Sequence, residues 1–322
     1  MAFGFRFGKK GEPVPEWAPF FTRAQFESFV NQLGAYFHRA RSKMKFDDTA
    51  VPRITVSGGT FPQGRYGIVN LAQVCNQVPA EEWPQRIADH FDSIVAAAKD
   101  HERFNVRESQ FDQMKEMLAV RIGDEASLPT DKLLFRRNLP GTISYLVFDL
   151  PNSVESVPLE IPEKWGKTLA ELFEIGLANV KRSANPEIER VEIETGVSFT
   201  AYSGESFFTA SFALLLDQLD NAVGPHGTLV AIPHRHTLLL HRIENINMIK
   251  AVQRLGILAV NLDEQGPGSI SPCLFWYRGG IFIDLPFRIE GDTLHFRPPD
   301  EFMKMLKELP AGNERPSPLE SP

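Results

Sequence analysis

The residues best suited to chemistry gather late in the chain. Half of its eight histidines, His226, His234, His236 and His241, fall within sixteen residues around Arg235. On an extended backbone His234 and His236 project to the same side, which suits a pair of imidazole ligands. With His241, and His226 as a further donor, they would make a divalent-metal centre for hydrolysis. A turn over 233–236 would break that alternation, and spacing fixes no third ligand or supporting partner. The plainer reading is a polar hairpin tip. Arg235, in the run Pro233-His234-Arg235, reads either as a solvated turn residue or as an anchor for an anion.

Other constellations are weaker. Ser57–Gly64 holds Gly58, Gly59 and Gly64 and is followed by Arg65. Backbone amides in such a loop can cradle phosphate. No Gly-Lys-Ser/Thr follows, however, and the loop joins two strands instead of a strand and a helix. Gly266-Pro267-Gly268-Ser269 reads as a loop. No Gly-x-Ser-x-Gly nucleophile elbow occurs, and Gly204-Glu205-Ser206 fits a turn that caps the next helix. Asp217 and Asp220, with Asn221, make a small acidic patch. Cys75 and Cys273 are nucleophiles in principle, but a lone cysteine among apolar neighbours is more often just buried. Arg39, Arg41, Lys43 and Lys45 crowd the end of a predicted helix, where the dipole favours cations. They could also meet an acidic partner or nucleic acid, Arg39 pairing with Lys43 and Arg41 with Lys45 at i, i+4.

Composition narrows the classes. The 322 residues carry 34 Lys and Arg against 41 Asp and Glu, a formal charge of −7. That disfavours a general nucleic-acid binder, which shows a basic footprint. Charged residues are 23% and AVILMFWYC residues 43%, the makeup of a folded globular chain. Two cysteines, neither in a CxxC, support no disulfide framework. No apolar run is long enough for a signal-peptide core or a membrane span, so the expectation is a soluble, cytoplasmic protein with no membrane association. Twenty-five Phe against five Tyr and four Trp point to ring packing in a core.

The elements that must position these residues follow from pattern. Gly4, Gly8, Gly11, Pro13, Pro15 and Pro19 make residues 1–21 an irregular arm, whose Phe3, Phe5 and Phe7 need a docking surface. Thr22 and Gln25 fit a capping box opening a helix that carries Phe26, Phe29, Val30, Leu33 and Phe37 and extends through Ala40 to Met44. Strands over 53–56 and 65–69 should pair across the glycine loop. A short helix near 71–77 and a longer one from Pro79 follow. Phe111, Met114 and Leu118 suggest a helix, 119–122 a short strand and 141–149 a buried strand. Thr168 and Glu171 form a second capping box. Residues 190–199 read as one strand, and Phe208 to Val223 as an amphipathic helix. Strands 228–232 and 237–241 should pair around the histidine tip, with a helix at 246–255. Hairpins are expected at 273–285 and 287–296, and a last helix capped by Asp300. Hairpins mixed with helices argue for an α+β fold of two lobes or two small domains. The divisions expected are an arm at 1–21, a domain at 22–106, a second at 107–309 and a disordered tail at 310–322.

Two segments resemble the YtpQ-like family, bacterial proteins grouped as a domain of unknown function. One is Trp165-Gly166-Lys167-Thr168 leading into Glu171-Leu172-Phe173 and Ala178-Asn179. The other is Gly227–Leu239, where the family shows a similar glycine, apolar strand, Pro-x-Arg and second apolar strand. Family members tend to carry an acidic residue where this chain has His236. The resemblance covers roughly residues 140–245 and implies a bacterial cytosolic protein without implying an activity or cofactor. The sequence therefore points to a non-catalytic protein that binds a ligand or an unidentified protein partner, without a cofactor. The alternative is a metal-dependent hydrolase built on His226–His241. Arg235, Arg39 and Lys43 are the candidate contacts, and His234, His236 and His241 the weaker candidate ligands.

Overall fold

A computed structural model describes residues 14–47, 52–194, 197–290 and 293–311. Phe3, Phe5 and Phe7, and the tail from residue 312, lie outside them. The chain divides into two units, one of residues 1–105 with 150–153 and 265–267, the other of 106–149, 154–264 and 268–322.

In the first unit Thr22 caps helix α1 (Arg23–Arg39). The Thr22 hydroxyl accepts from the Gln25 amide at 3.3 Å, and the Gln25 side chain accepts from the Thr22 amide at 2.8 Å. Phe26, Phe29, Val30, Leu33 and Phe37 form its buried stripe. The helix stops earlier than its apolar period suggested. Arg41 turns the backbone at φ 53°, and Lys43–Asp47 is strand β1. It pairs antiparallel with β2 (Arg53–Ser57), which pairs with β3 (Gly64–Gly67). The sequence's helical reading of Met44 mistook a strand residue for one more helical turn, because alternate residues can mimic a helical stripe over so short a run. Helices α2 (Val69–Asn76) and α3 (Trp83–Arg103) complete the unit. Its core is a ring cluster of Phe21, Phe29, Phe37, Phe61, Trp83 and Phe91, with Phe37 edge-on to Phe91 at 4.7 Å.

The second unit opens with a short helix α4 (Phe111–Met114). A four-stranded sheet follows, made of β4 (Leu118–Asp124), β5 (Phe135–Arg136), β6 (Thr142–Asp149) and β7 (Val154–Ser156). Then come α5 (Ile161–Trp165) and α6 (Leu169–Ser183). The residues that carry the family resemblance are structural ties here. Gly166 ends α5 at φ 59°, and Thr168 and Glu171 cap α6 reciprocally. Trp165 donates to the Ser109 carbonyl, and the buried Asn179 amide donates to the carbonyls of Lys115 and Leu118.

A six-stranded antiparallel sheet follows. Its strands are β8 (Glu187–Glu194), β9 (Val197–Ser203), β10 (Thr228–Ala231), β11 (Thr237–Arg242), β12 (Leu274–Arg278) and β13 (Ile281–Leu285). They run in the order β13-β12-β10-β11-β9-β8. The single strand expected over 190–199 is thus a hairpin of two. The segment after β9 winds as a tight 3₁₀ helix over Thr209–Gln218 in place of the α-helix expected. Alternation sorts the sheet's two faces. Val230, Leu238, Leu240 and Phe275 pack against the 3₁₀ segment and the four-stranded sheet. Leu229, Leu239, Leu274 and Trp276 pack against α7 (Met248–Gln265) and against α8 (Asp300–Glu308). Between those helices lies the small hairpin β14 (Phe287–Glu290) and β15 (Thr293–Phe296). Both hairpins expected in the last fifty residues are present, and the fold class is α+β.

Candidate anion-binding site

The hairpin β10–β11 carries Arg235 at its tip, and three further segments build a site around it. His234 and Arg235 are held by the chain ahead of β12. The Arg235 amide donates to the Gly268 carbonyl at 3.1 Å, and the Ile270 amide to the Pro233 carbonyl at 2.8 Å. Gly268 has φ 75°, and a Cβ there would come within 2.9 Å of the Arg235 side chain. The glycine in what read as a plain loop is therefore the seat of the arginine.

The Arg235 guanidinium lies against the Phe207 ring, its Cζ 4.4 Å from the centroid. A second guanidinium, from Arg121 on β4, stands 5.9 Å from the same ring and 6.0 Å from the Tyr145 ring. Two like charges thus share one aromatic platform. Neither has an ion-pair partner among the described residues. Asp149, its carboxyl raised chiefly by burial, feels the opposing charge of Arg121 but forms no ion pair with it among the described residues. The Arg121 Nε is buried and has no hydrogen-bond partner among the described residues. Burial first, and the Arg121 charge second, push the Arg235 guanidinium down to about 10.

His236 fixes how Arg235 points. A guanidinium only donates, so the 2.9 Å bond from Arg235 Nε to His236 Nε2 requires a lone pair on that nitrogen. The ring proton is then on Nδ1, which donates to the Gly204 carbonyl at 3.1 Å. Burial and the Arg235 charge push His236 down to about 4, so the neutral tautomer persists at neutral pH. His234 is likewise pushed to about 4, first by burial and then by repulsion from His236, were that ring protonated, and from Arg235. Its Nδ1 accepts from the His236 amide. Both His236 nitrogens are spent on positioning.

The histidines of the sequence segment do not all meet. His234 and His236 flank the tip, their ring centroids 6.1 Å apart. His241 pairs with Leu229 at the far end of the hairpin and bonds the Ser198 carbonyl at 2.7 Å. His226 lies beyond that end, in the turn before β10. No three His, Cys, Asp or Glu side chains among the described residues gather as metal ligands. Arg39 is exposed at the end of α1 and Lys43 on β1, so the i, i+4 pairing expected between them does not form. The glycine loop after β2 packs on the end of α1: the Thr60 amide donates to the Ala40 carbonyl, and a Cβ at Gly59 would meet the Arg41 backbone at 2.5 Å. Asp217 accepts from the Tyr277 hydroxyl at 2.6 Å. Cys75 is buried, its thiol pushed up to about 12, and Cys273 is half-buried.

Sequence reasoning found Arg235 but missed Arg121 and Phe207. Arg121 interrupts the apolar run Leu118-Ala119-Val120-Arg121-Ile122, and a charge inside a buried strand is a signal in itself. Phe207 is 42% exposed beside the buried Phe208, a distinction no local pattern carries. Comparison with protein-family models, with curated proteins and with solved structures finds no match to this chain. The YtpQ-like resemblance therefore rests on the quoted residues alone.

Proposed function

We propose that this chain is a binding protein and that the Arg121–Arg235 pair receives an anionic group, a carboxylate or phosphate, of its ligand. One observation carries this reading: two guanidiniums face a single exposed ring with no acid among the described residues paired to either. Removing a charge from water without a partner is costly, and a fold under no other demand would supply a carboxylate or an apolar residue. An arriving anion would complete the missing partnership with charge-assisted, bidentate hydrogen bonds. Phe207, half-exposed beside them, would contribute apolar contact. His236 serves as a spacer that aims Arg235, and its committed nitrogens argue against a general-base role.

Titration with inorganic phosphate, followed by hydrogen exchange in the peptides over 203–210 and 232–238, tests the proposal. Protection is expected in the wild type and is expected to fall by about tenfold in midpoint in Arg121→Gln and Arg235→Gln. Equal protection in wild type and both variants, or none in any, would overturn it. Low salt is the sensitive condition, since screening weakens such contacts.

A further inference from the structure

The opposite end of the same hairpin holds a separate pocket of about 220 Å³. Cross-strand register builds its floor. Arg190 on β8 faces Thr200 on β9, and Thr200 faces Leu240 on β11. Two residues further along, Ser198 and Arg242 occupy the next positions on the same face. The walls come from Asn221, which follows the 3₁₀ segment at φ 56°, and from Asn245 and Asn247 between β11 and α7.

Several polar groups here make no bond to the described residues, and of these Arg190 and Asn221 are exposed to water. Arg242 Nε is buried and unbonded among the described residues, although its terminal nitrogen pairs with Glu244 at 3.3 Å. Arg190 spends its Nε on the Ser198 hydroxyl at 3.0 Å, and its terminal nitrogens make no bond to the described residues. The side-chain amides of Asn221 and Asn247 are likewise unbonded among them. Asn245 is the exception, its side-chain oxygen accepting from the Asn247 backbone N–H at 3.0 Å. A pocket of this size is below the usual range for drug-sized ligands and is walled by hydrogen-bonding groups in place of apolar ones.

We infer that this pocket binds a small carboxylate that also carries hydroxyl or amino groups. The carboxylate matches Arg190 and Arg242, which present planar donors in a fork. The remaining polar groups match Asn221, Asn247 and Thr200, since amides and hydroxyls both donate and accept. Glu244 holds one side of Arg242 and favours a ligand with a donor near its carboxylate over a bare dianion. The site is independent of the Arg121–Arg235 pair: it lies at the other end of β11 and shares no residue with it.

L-malate, L-serine and glycerol serve as the probes, each at millimolar concentration, with hydrogen exchange in the peptide over 238–248 as the readout. L-malate or L-serine should slow exchange there, and glycerol, which lacks a carboxylate, should not. Arg190→Gln and Asn247→Ala, both at the pocket wall, should each weaken the effect about tenfold. Arg235→Gln should leave it unchanged, which separates this proposal from the preceding one. Protection by glycerol as strong as by the carboxylates, protection unaltered in Arg190→Gln, or no protection by either carboxylate would overturn the assignment.

Discussion

If Arg235 is held in place for a ligand, removing its charge should cost the fold little. Ordinary reasoning about buried charged residues expects the opposite, because truncating one member of a buried pair costs about 3–5 kcal/mol by stranding the other. Here the pair is two cations. Burial and Arg121 lower the Arg235 guanidinium to about 10. At about 1.4 kcal/mol per pKa unit this reflects a charge-burial cost of roughly 3 kcal/mol. Against it stand the stack on Phe207, about 1–2 kcal/mol when desolvated, and the bond from Nε to His236, about 1.5 kcal/mol. Arg235→Met keeps a comparable apolar stem over the Phe207 ring. The variant should therefore lie within about 1 kcal/mol of the wild type. Native-state hydrogen exchange of β10 and β11 is the assay, since their buried amides report the opening of this unit by itself. Phosphate at ten times its dissociation constant should add about 1.4 kcal/mol to the wild type and nothing to Arg235→Met. A loss of about 3 kcal/mol or more without ligand would show that the guanidinium supports the fold, and the reasoning from its unpaired charge would fail.

Gly268→Ala should lose about 1–2 kcal/mol and shift the phosphate midpoint upward, because its Cβ would strike the Arg235 side chain and its φ is 75°; denaturant unfolding and the same titration measure both. Asn179→Ala should cost the second unit about 2–3 kcal/mol by stranding the carbonyls of Lys115 and Leu118, visible in exchange of β4 and α6. His234 and His236 have folded values below their unfolded one, near 6.5, so the unfolded chain binds more protons between about 4 and 6.5. Their stability is present above that window and is lost as pH falls through it, which exchange at the hairpin tip should follow; His241, lowered chiefly by burial, adds to this effect, while Asp263, pushed up to about 6, and Asp149 and Asp284, raised chiefly by burial, work in the opposite direction away from the tip's own imidazoles. A thiol reagent should label native Cys273 before Cys75, with mass spectrometry of the labelled peptides as the check, since Cys75 is buried and pushed to about 12.

Local chemistry was the legible part of the fold. Thr22 with Gln25 and Thr168 with Glu171 close their capping boxes as their spacing implied. The paired strands on either side of Pro233–His236 were readable because apolar runs met a polar tip. The losses came where a tertiary neighbour chose between local states. Lys43 to Asp47 became a strand because β2 offered it a ladder, which helical spacing over α1 could not reveal. Residues 209–218 wind as a 3₁₀ helix in which Ser211 donates to the Val120 carbonyl at 2.7 Å, a partner that no local period encodes.

The site obeys the same division. Arg235 could be singled out because proline and histidine fix it at a tip, whereas the feature that gives it meaning is a distance to Arg121, 114 positions earlier in the sequence. No local period encodes that separation. It follows from β4 and the hairpin converging on one ring, and this explains why the histidines drew attention first. They are conspicuous in sequence as potential ligands, yet in the fold His236 gives one nitrogen to Arg235 and the other to Gly204. An imidazole so committed cannot also bind a metal through either nitrogen without breaking the bond that orients the guanidinium. Replacing His236 by Gln, whose oxygen can still accept from Arg235, should therefore retain most of the phosphate response. His236→Leu should lose it while leaving both arginines in place. If both variants respond alike, His236 has no positioning role, and Arg235 is held by Gly268 and Phe207 alone.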